Sequence, residues 1–127
     1  MAEMENTFYR TLSSQVLEDG SVEYILHICE NHPVYSGHFP GHPVCPGVMT
    51  LGMVRSIASV QENCALNWTE IKNCRFVGMM YPGDDVRCVL RLTRQEDCIY
   101  AVTAEIARGD EPLLNLSAYL LRQLPKE

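Results

Sequence analysis

Apolar and polar side chains alternate through the first part of the chain. Residues 7–18 (TFYRTLSSQVLE) read as a first strand, Asp19-Gly20 as a hairpin turn, and residues 21–30 as a second strand. In that second strand Val22, Tyr24, Leu26 and Ile28 share one face, and Glu23, Ile25, His27 and Cys29 share the other. Residues 31–47 (NHPVYSGHFPGHPVCPG) break the alternation. Their four prolines and three glycines exclude a helix or a ladder, so a structured loop is expected. After Pro46-Gly47 the period lengthens. Val48, Leu51, Val54 and Ala58 form one stripe, and Met49, Met53, Ile57 and Val60 form another, over a segment ending near Cys64. A helix apolar on two stripes should be largely buried, and a proline beside its first turn suits its start.

Period two then returns. Residues 67–78 are extended, Pro82-Gly83-Asp84 is a turn, and residues 86–94 alternate through Val86, Cys88, Leu90 and Leu92. Residues 99–107 alternate around Val102, Ala104 and Ile106, and Gly109-Asp110 turns the chain into a last strand over residues 113–121. The expected order is strand–strand–helix–four strands, an α+β layer in which one long helix lies on a curved antiparallel sheet. No repeat or linker divides the 127 residues, so a single domain over 1–127 is expected.

Composition narrows the function. Hydrophobic residues make up 46% and charged residues 20%, enough for a core and too apolar for disorder. The net charge of -6 argues against nucleic acid, whose binding needs a basic surface, and an acidic protein partner would need a local basic patch. No apolar run approaches the roughly 18 residues of a membrane span, and the N-terminal MAEMENTFYR holds no apolar signal region. Cys29, Cys45, Cys64, Cys74, Cys88 and Cys98 form no CxxC pair, so six reduced thiols in a cytoplasmic protein are expected.

One stretch is specific. GHFPGHPVCPGV, residues 37–48, resembles the signature of the β-hydroxyacyl-acyl-carrier-protein dehydratases: Gly-His-Phe-Pro-Gly-x-Pro, two variable residues, then Pro-Gly-Val. FVGMMYPGDDV, residues 76–86, resembles that family's later phenylalanine-to-Pro-Gly-Asp segment, and the likeness spans about residues 21–122. The resemblance implies a hotdog fold whose sheet is completed by pairing two protomers, so a dimer or higher oligomer. It implies dehydration of 3-hydroxyacyl chains carried as thioesters on acyl carrier protein or CoA, in fatty-acid or polyketide-type lipid synthesis, with no cofactor and no metal. By position it makes His38 the base that removes the α-proton. It makes Gly47 the glycine whose N–H, at the helix start, binds the thioester oxygen. Imidazole can act as a base near neutral pH, and helix N-terminal amides suit a developing oxyanion. Phe39, Pro40, Val48, Gly52 and Arg55 are the expected substrate-contacting positions.

The chain departs from this pattern at one place. The family carries a carboxylate five residues after the glycine, which protonates the departing hydroxyl; here that position is Gly52. The next carboxylate, Glu62, is ten residues further, roughly 15 Å along a helix. A positioned general acid contributes about 10²–10⁴-fold, so a homodimer should be a poor dehydratase. Two other readings stay open: a hotdog thioesterase, which would want a carboxylate near the site to activate water, and a non-catalytic or complementing subunit of a heterodimer with a carboxylate-bearing paralogue. Plainer readings apply elsewhere. Gly52 can be a small residue at a close approach, Arg55 can pair with a carboxylate of the sheet, and Met49/Met53 can be core as well as acyl tunnel. Arg87, Arg91 and Arg94 can form a solvated edge as well as a carrier-docking patch. His32, His38, His42 and Cys45 could together hold zinc, although their spacing matches no structural zinc pattern. His27, on a strand, reads as a solvated or internally satisfied histidine.

Overall fold

Among the described residues, six strands and one α-helix follow the order that the periodicity predicts. A computed structural model describes residues 4–36 and 44–123. The elements are β1 (Tyr9–Val16), β2 (Val22–Ile28), α1 (Gly47–Glu62), β3 (Leu66–Phe76), β4 (Asp85–Glu96), β5 (Ile99–Arg108) and β6 (Glu111–Arg122). The strands form one antiparallel sheet in the order β1-β2-β4-β5-β6-β3. The helix interrupts the meander: it carries the chain across the sheet, so β3 joins the far edge beside β6 while β2 pairs directly with β4. β4, β5 and β6 alternate as expected, whereas β1 and β3, at the two edges of the sheet, are exposed along most of their length. Leu26, Ile28, Val86, Cys88, Leu90, Val102, Ala104, Ile106, Leu114, Leu116 and Leu120 are buried. Met53, Val54, Ile57 and Ala58 of α1 are buried in the same core cluster. Each large aliphatic side chain in this layer stabilises the fold by about 2 kcal/mol through removal from water.

The helix is buried only along its middle. Val48 and Val60, at the ends of the two stripes, are 76% and 44% exposed. The helix also stops at Glu62, because Asn63 adopts a left-handed conformation (φ 53°) and the following amide of Cys64 turns back to the Ser59 carbonyl. Within the proline-rich loop, Pro33–Ser36 make one turn of 3₁₀ helix where irregular chain is expected, since proline at the first position fits the start of a turn. All six cysteines are free thiols, Cys88 buried and the others partly so. No helix among the described residues is long and apolar enough to cross a membrane.

Candidate active site

The site is assembled around the start of α1. Pro46 precedes the helix in an extended conformation and provides no side-chain cap. The first bonds into the turn run from the amides of Met49 and Thr50 to the Pro46 carbonyl. The amides of Gly47 and Val48 therefore meet no acceptor among the described residues, as expected for the first turn of an uncapped helix, and they carry its positive end. Above Gly47 lies the ring of Phe76. A Cβ at position 47 would stand 3.1 Å from its Cζ, so the bare glycine lets the aromatic edge reach the helix start.

Beside this contact is a cavity of about 460 Å³. Cys45, Gly47 and Thr50 line one wall, the strap from Phe76 to Met80 forms another, and Ile106, Leu113 and Leu114 line the rest. Polar contacts hold the strap. The Cys45 amide donates to the Met80 carbonyl (2.8 Å) and the Tyr81 amide to Asp84 Oδ2 (2.8 Å). Arg108 reaches the Met79 carbonyl (3.0 Å) and Asp84 (2.6 Å) through Nη1, and Glu111 (2.6 Å) through Nη2. The Glu111 and Asp84 bonds raise the guanidinium pKa further, so the clamp stays charged at every working pH. Tyr35 Oη and Cys45 Sγ lie 3.0 Å apart at the mouth of the loop. Burial pushes the Cys45 thiol up to about 11 and raises the Tyr35 phenol, so neither group ionises near neutrality and Cys45 is not a thiolate nucleophile.

The sequence-expected residues divide among several places. His38, Phe39 and Pro40 lie outside the described residues, as does His42. Gly47 lines the cavity. Val48, one residue on, is exposed and does not line it. Gly52 faces Met4: a Cβ there would meet the Met4 Sδ at 3.0 Å. Arg55 pairs with no carboxylate among the described residues; its Nη1 donates to the Leu66 carbonyl at 3.3 Å, fastening the helix to the start of β3. Met53 is core and Met49 is partly buried, and neither lines the cavity, where Met79 and Met80 stand instead. His32 Nδ1 accepts from the Val34 amide (3.0 Å), and no metal-binding cluster occurs among the described residues. His27 is satisfied by Asp85 and Glu30, each at 2.7 Å. Arg87 and Arg91 lie 3.4 Å from Glu23 and Asp19, and Arg94 donates to the Asp97 carbonyl, the behaviour of a solvated edge.

Residues 13–110 match the family model described as ApeI-like, ApeI dehydratase. The chain belongs to the ApeI-like dehydratase family. Relatives of this ApeI-like chain include the 3-hydroxyacyl-[acyl-carrier-protein] dehydratase FabZ of Legionella pneumophila (strain Lens), 29% identical over 87% of this chain and 81% of that protein. The FabZ of Ralstonia nicotianae is 32% identical over 71% of this chain and 61% of that protein. Among solved structures, the dehydratase heterocomplex ApeI:P from Xenorhabdus doucetiae aligns with a TM-score of 0.69 at 16% identity, covering 88% of this chain and 96% of that one. The PaaI protein of E. coli aligns at 0.66 and 12% identity, covering 99% and 87%. These neighbours establish the hotdog fold, and the family match makes this hotdog a dehydratase-like one.

Proposed function

We propose that the chain is a 3-hydroxyacyl-thioester dehydratase subunit that supplies the base and the oxyanion site and takes its general acid from a carboxylate-bearing paralogue. The observation that carries this reading is the pairing of GHFPGHPVCPGV, in register with an uncapped helix start at Gly47, with a glycine at position 52. In the reaction His38 removes the α-proton and the electron pair moves onto the thioester oxygen, which accepts a hydrogen bond from the Gly47 amide. The 3-hydroxyl then departs as water, protonated by a carboxylic acid across the dimer. Each site is shared, so a mixed dimer has one complete site, His38 with the partner's acid, and one lacking the acid at Gly52. The structural neighbour ApeI:P from Xenorhabdus doucetiae, a dehydratase heterocomplex, is compatible with this arrangement. Acyl carrier protein, named in the FabZ relatives, is the proposed carrier, and the cavity beside Gly47 is the proposed room for the acyl chain. Phe39 and Pro40, neighbours of His38 in the loop motif, are the proposed substrate contacts; Val48 and Arg55 do not line the cavity, and Arg55 is held by the Leu66 carbonyl. The β3 edge, which ends at Phe76 beside the cavity, is the proposed seam, because pairing there brings a second protomer next to Gly47.

The chain alone and the chain co-expressed with a candidate paralogue should be assayed for hydration of a crotonyl thioester. The mixed dimer should exceed the chain alone by about 10²-fold or more, the typical contribution of a positioned acid. Equal rates would refute the complementation.

A further inference from the structure

We infer that Met4 fills the room of the missing acid and closes this chain's own half of the shared site. The packing argument stands on the chain alone; what the plug excludes rests on the shared-site reading above. Met4 belongs to an anchored hook. Its carbonyl accepts from the amides of Thr7 (3.2 Å), Phe8 (2.8 Å) and Tyr9 (3.2 Å), and from Thr7 Oγ1 (3.1 Å). The Asn6 amide donates to the Tyr9 carbonyl at 2.6 Å, and Glu5 accepts from Thr11 Oγ1 at 2.9 Å. Phe8 and Tyr9 are fully buried, and the Tyr9 hydroxyl meets Ser56 Oγ at 2.9 Å, one helical turn past Gly52.

The hook is thus fixed to the helix just beyond the acid position, and its methionine is laid over that position. A Cβ at residue 52 would stand 3.0 Å from the Met4 Sδ and 3.5 Å from its Cε, the first tighter than ordinary contact, so a side chain at 52 requires the thioether to give way. The chain that lacks the acid thus places its own Met4 side chain against the acid position. The helix face holds an apolar group where the departing hydroxyl would need a proton donor, and an apolar wall disfavours a hydroxyl with no partner. Met4 makes the Gly52 half-site closed as well as acid-free, leaving the mixed dimer with a single working site.

Two double-mutant cycles test this on the full chain. The first reads thermal midpoints for Gly52→Ala with Met4 present and in the Met4→Ala background. Alanine normally stabilises a helix interior over glycine. The expected result is a rise of a few degrees in the Met4→Ala background and a smaller rise or a fall with Met4 present; Met4→Leu, which keeps the plug, should behave like the parent. Equal shifts in both backgrounds would overturn the packing. The second reads crotonyl-thioester hydration by the chain without a paralogue. Gly52→Glu alone should gain less than about threefold, and Gly52→Glu with Met4→Ala should gain tens of fold or more. A full gain from Gly52→Glu alone would overturn the plug. Coupled midpoints with no gain from either variant would uphold the packing and overturn the shared-site reading.

Discussion

Tyr9→Phe removes one oxygen from the core and leaves the ring in place. That oxygen lies 2.9 Å from Ser56 Oγ, with both residues buried. Burial is the main cause that pushes the Tyr9 phenol up to about 12, so the pair is a neutral hydrogen bond at every working pH. Such a bond contributes about 1 kcal/mol net, and a buried hydroxyl left without its partner costs about 1–3 kcal/mol. Ser56 can turn its hydroxyl toward the carbonyl one helical turn back, which places the expected loss near the lower end, about 1–1.5 kcal/mol. For a chain of this size that is roughly 4–6 °C in thermal midpoint. Urea unfolding at fixed protein concentration reads it directly, because any self-association would make midpoints concentration-dependent. Ser56→Ala should lose a similar amount by orphaning the phenol. The double variant should lose little more than either single, a coupling of about 1 kcal/mol. A Tyr9→Phe protein within about 0.3 kcal/mol of the parent, or a strictly additive double variant, would refute the attachment of the N-terminal hook to the helix.

His27 sits between Asp85 and Glu30, whose bonds raise its pKa above the usual 6.5. Its stabilisation is complete below pH 6.5 and disappears as the pH rises through the folded value. The midpoint lost in His27→Gln should therefore be larger at pH 5.5 than at pH 8.5, and a pH-independent loss would contradict the assignment. Burial pushes the Cys88 thiol up to about 12 and the Cys45 thiol up to about 11, so both should react with a thiol reagent only on unfolding; rapid modification of all six cysteines in the native protein would contradict the burial. The proposed pairing along β3 should give a stable dimer by light scattering at micromolar concentration, and a monomer there would remove the shared site altogether.

The order of elements was legible because each switch of hydrophobic period coincides with turn chemistry. Asp19-Gly20, Pro46-Gly47, Pro82-Gly83 and Gly109-Asp110 all mark real boundaries. The site was half legible. The loop motif and the glycine at 52 could be read as letters, since rigid residues at fixed spacing carry their own geometry. What fills the space around them could not. Phe76 lies on Gly47 only because β3 crosses to the far edge of the sheet, and Met4 reaches Gly52 only because the Thr7, Phe8 and Tyr9 amides converge on one carbonyl. Val48 illustrates the reverse error: helical spacing gave it a stripe, but its place in the first turn leaves it in the open. Arg55 found a backbone carbonyl where a carboxylate was expected, because the chain between α1 and β3 is short enough to bring Leu66 within reach of its side chain.

His38 is proposed to work in the one complete site of a mixed dimer. The most direct measurement is the crotonyl-thioester hydration rate of the co-expressed pair, with the catalytic histidine replaced by alanine in one subunit at a time. His38→Ala in this chain should remove most of the activity, while the same replacement in the carboxylate-bearing partner should leave it nearly unchanged. Activity that survives His38→Ala and disappears with the partner's histidine would contradict it.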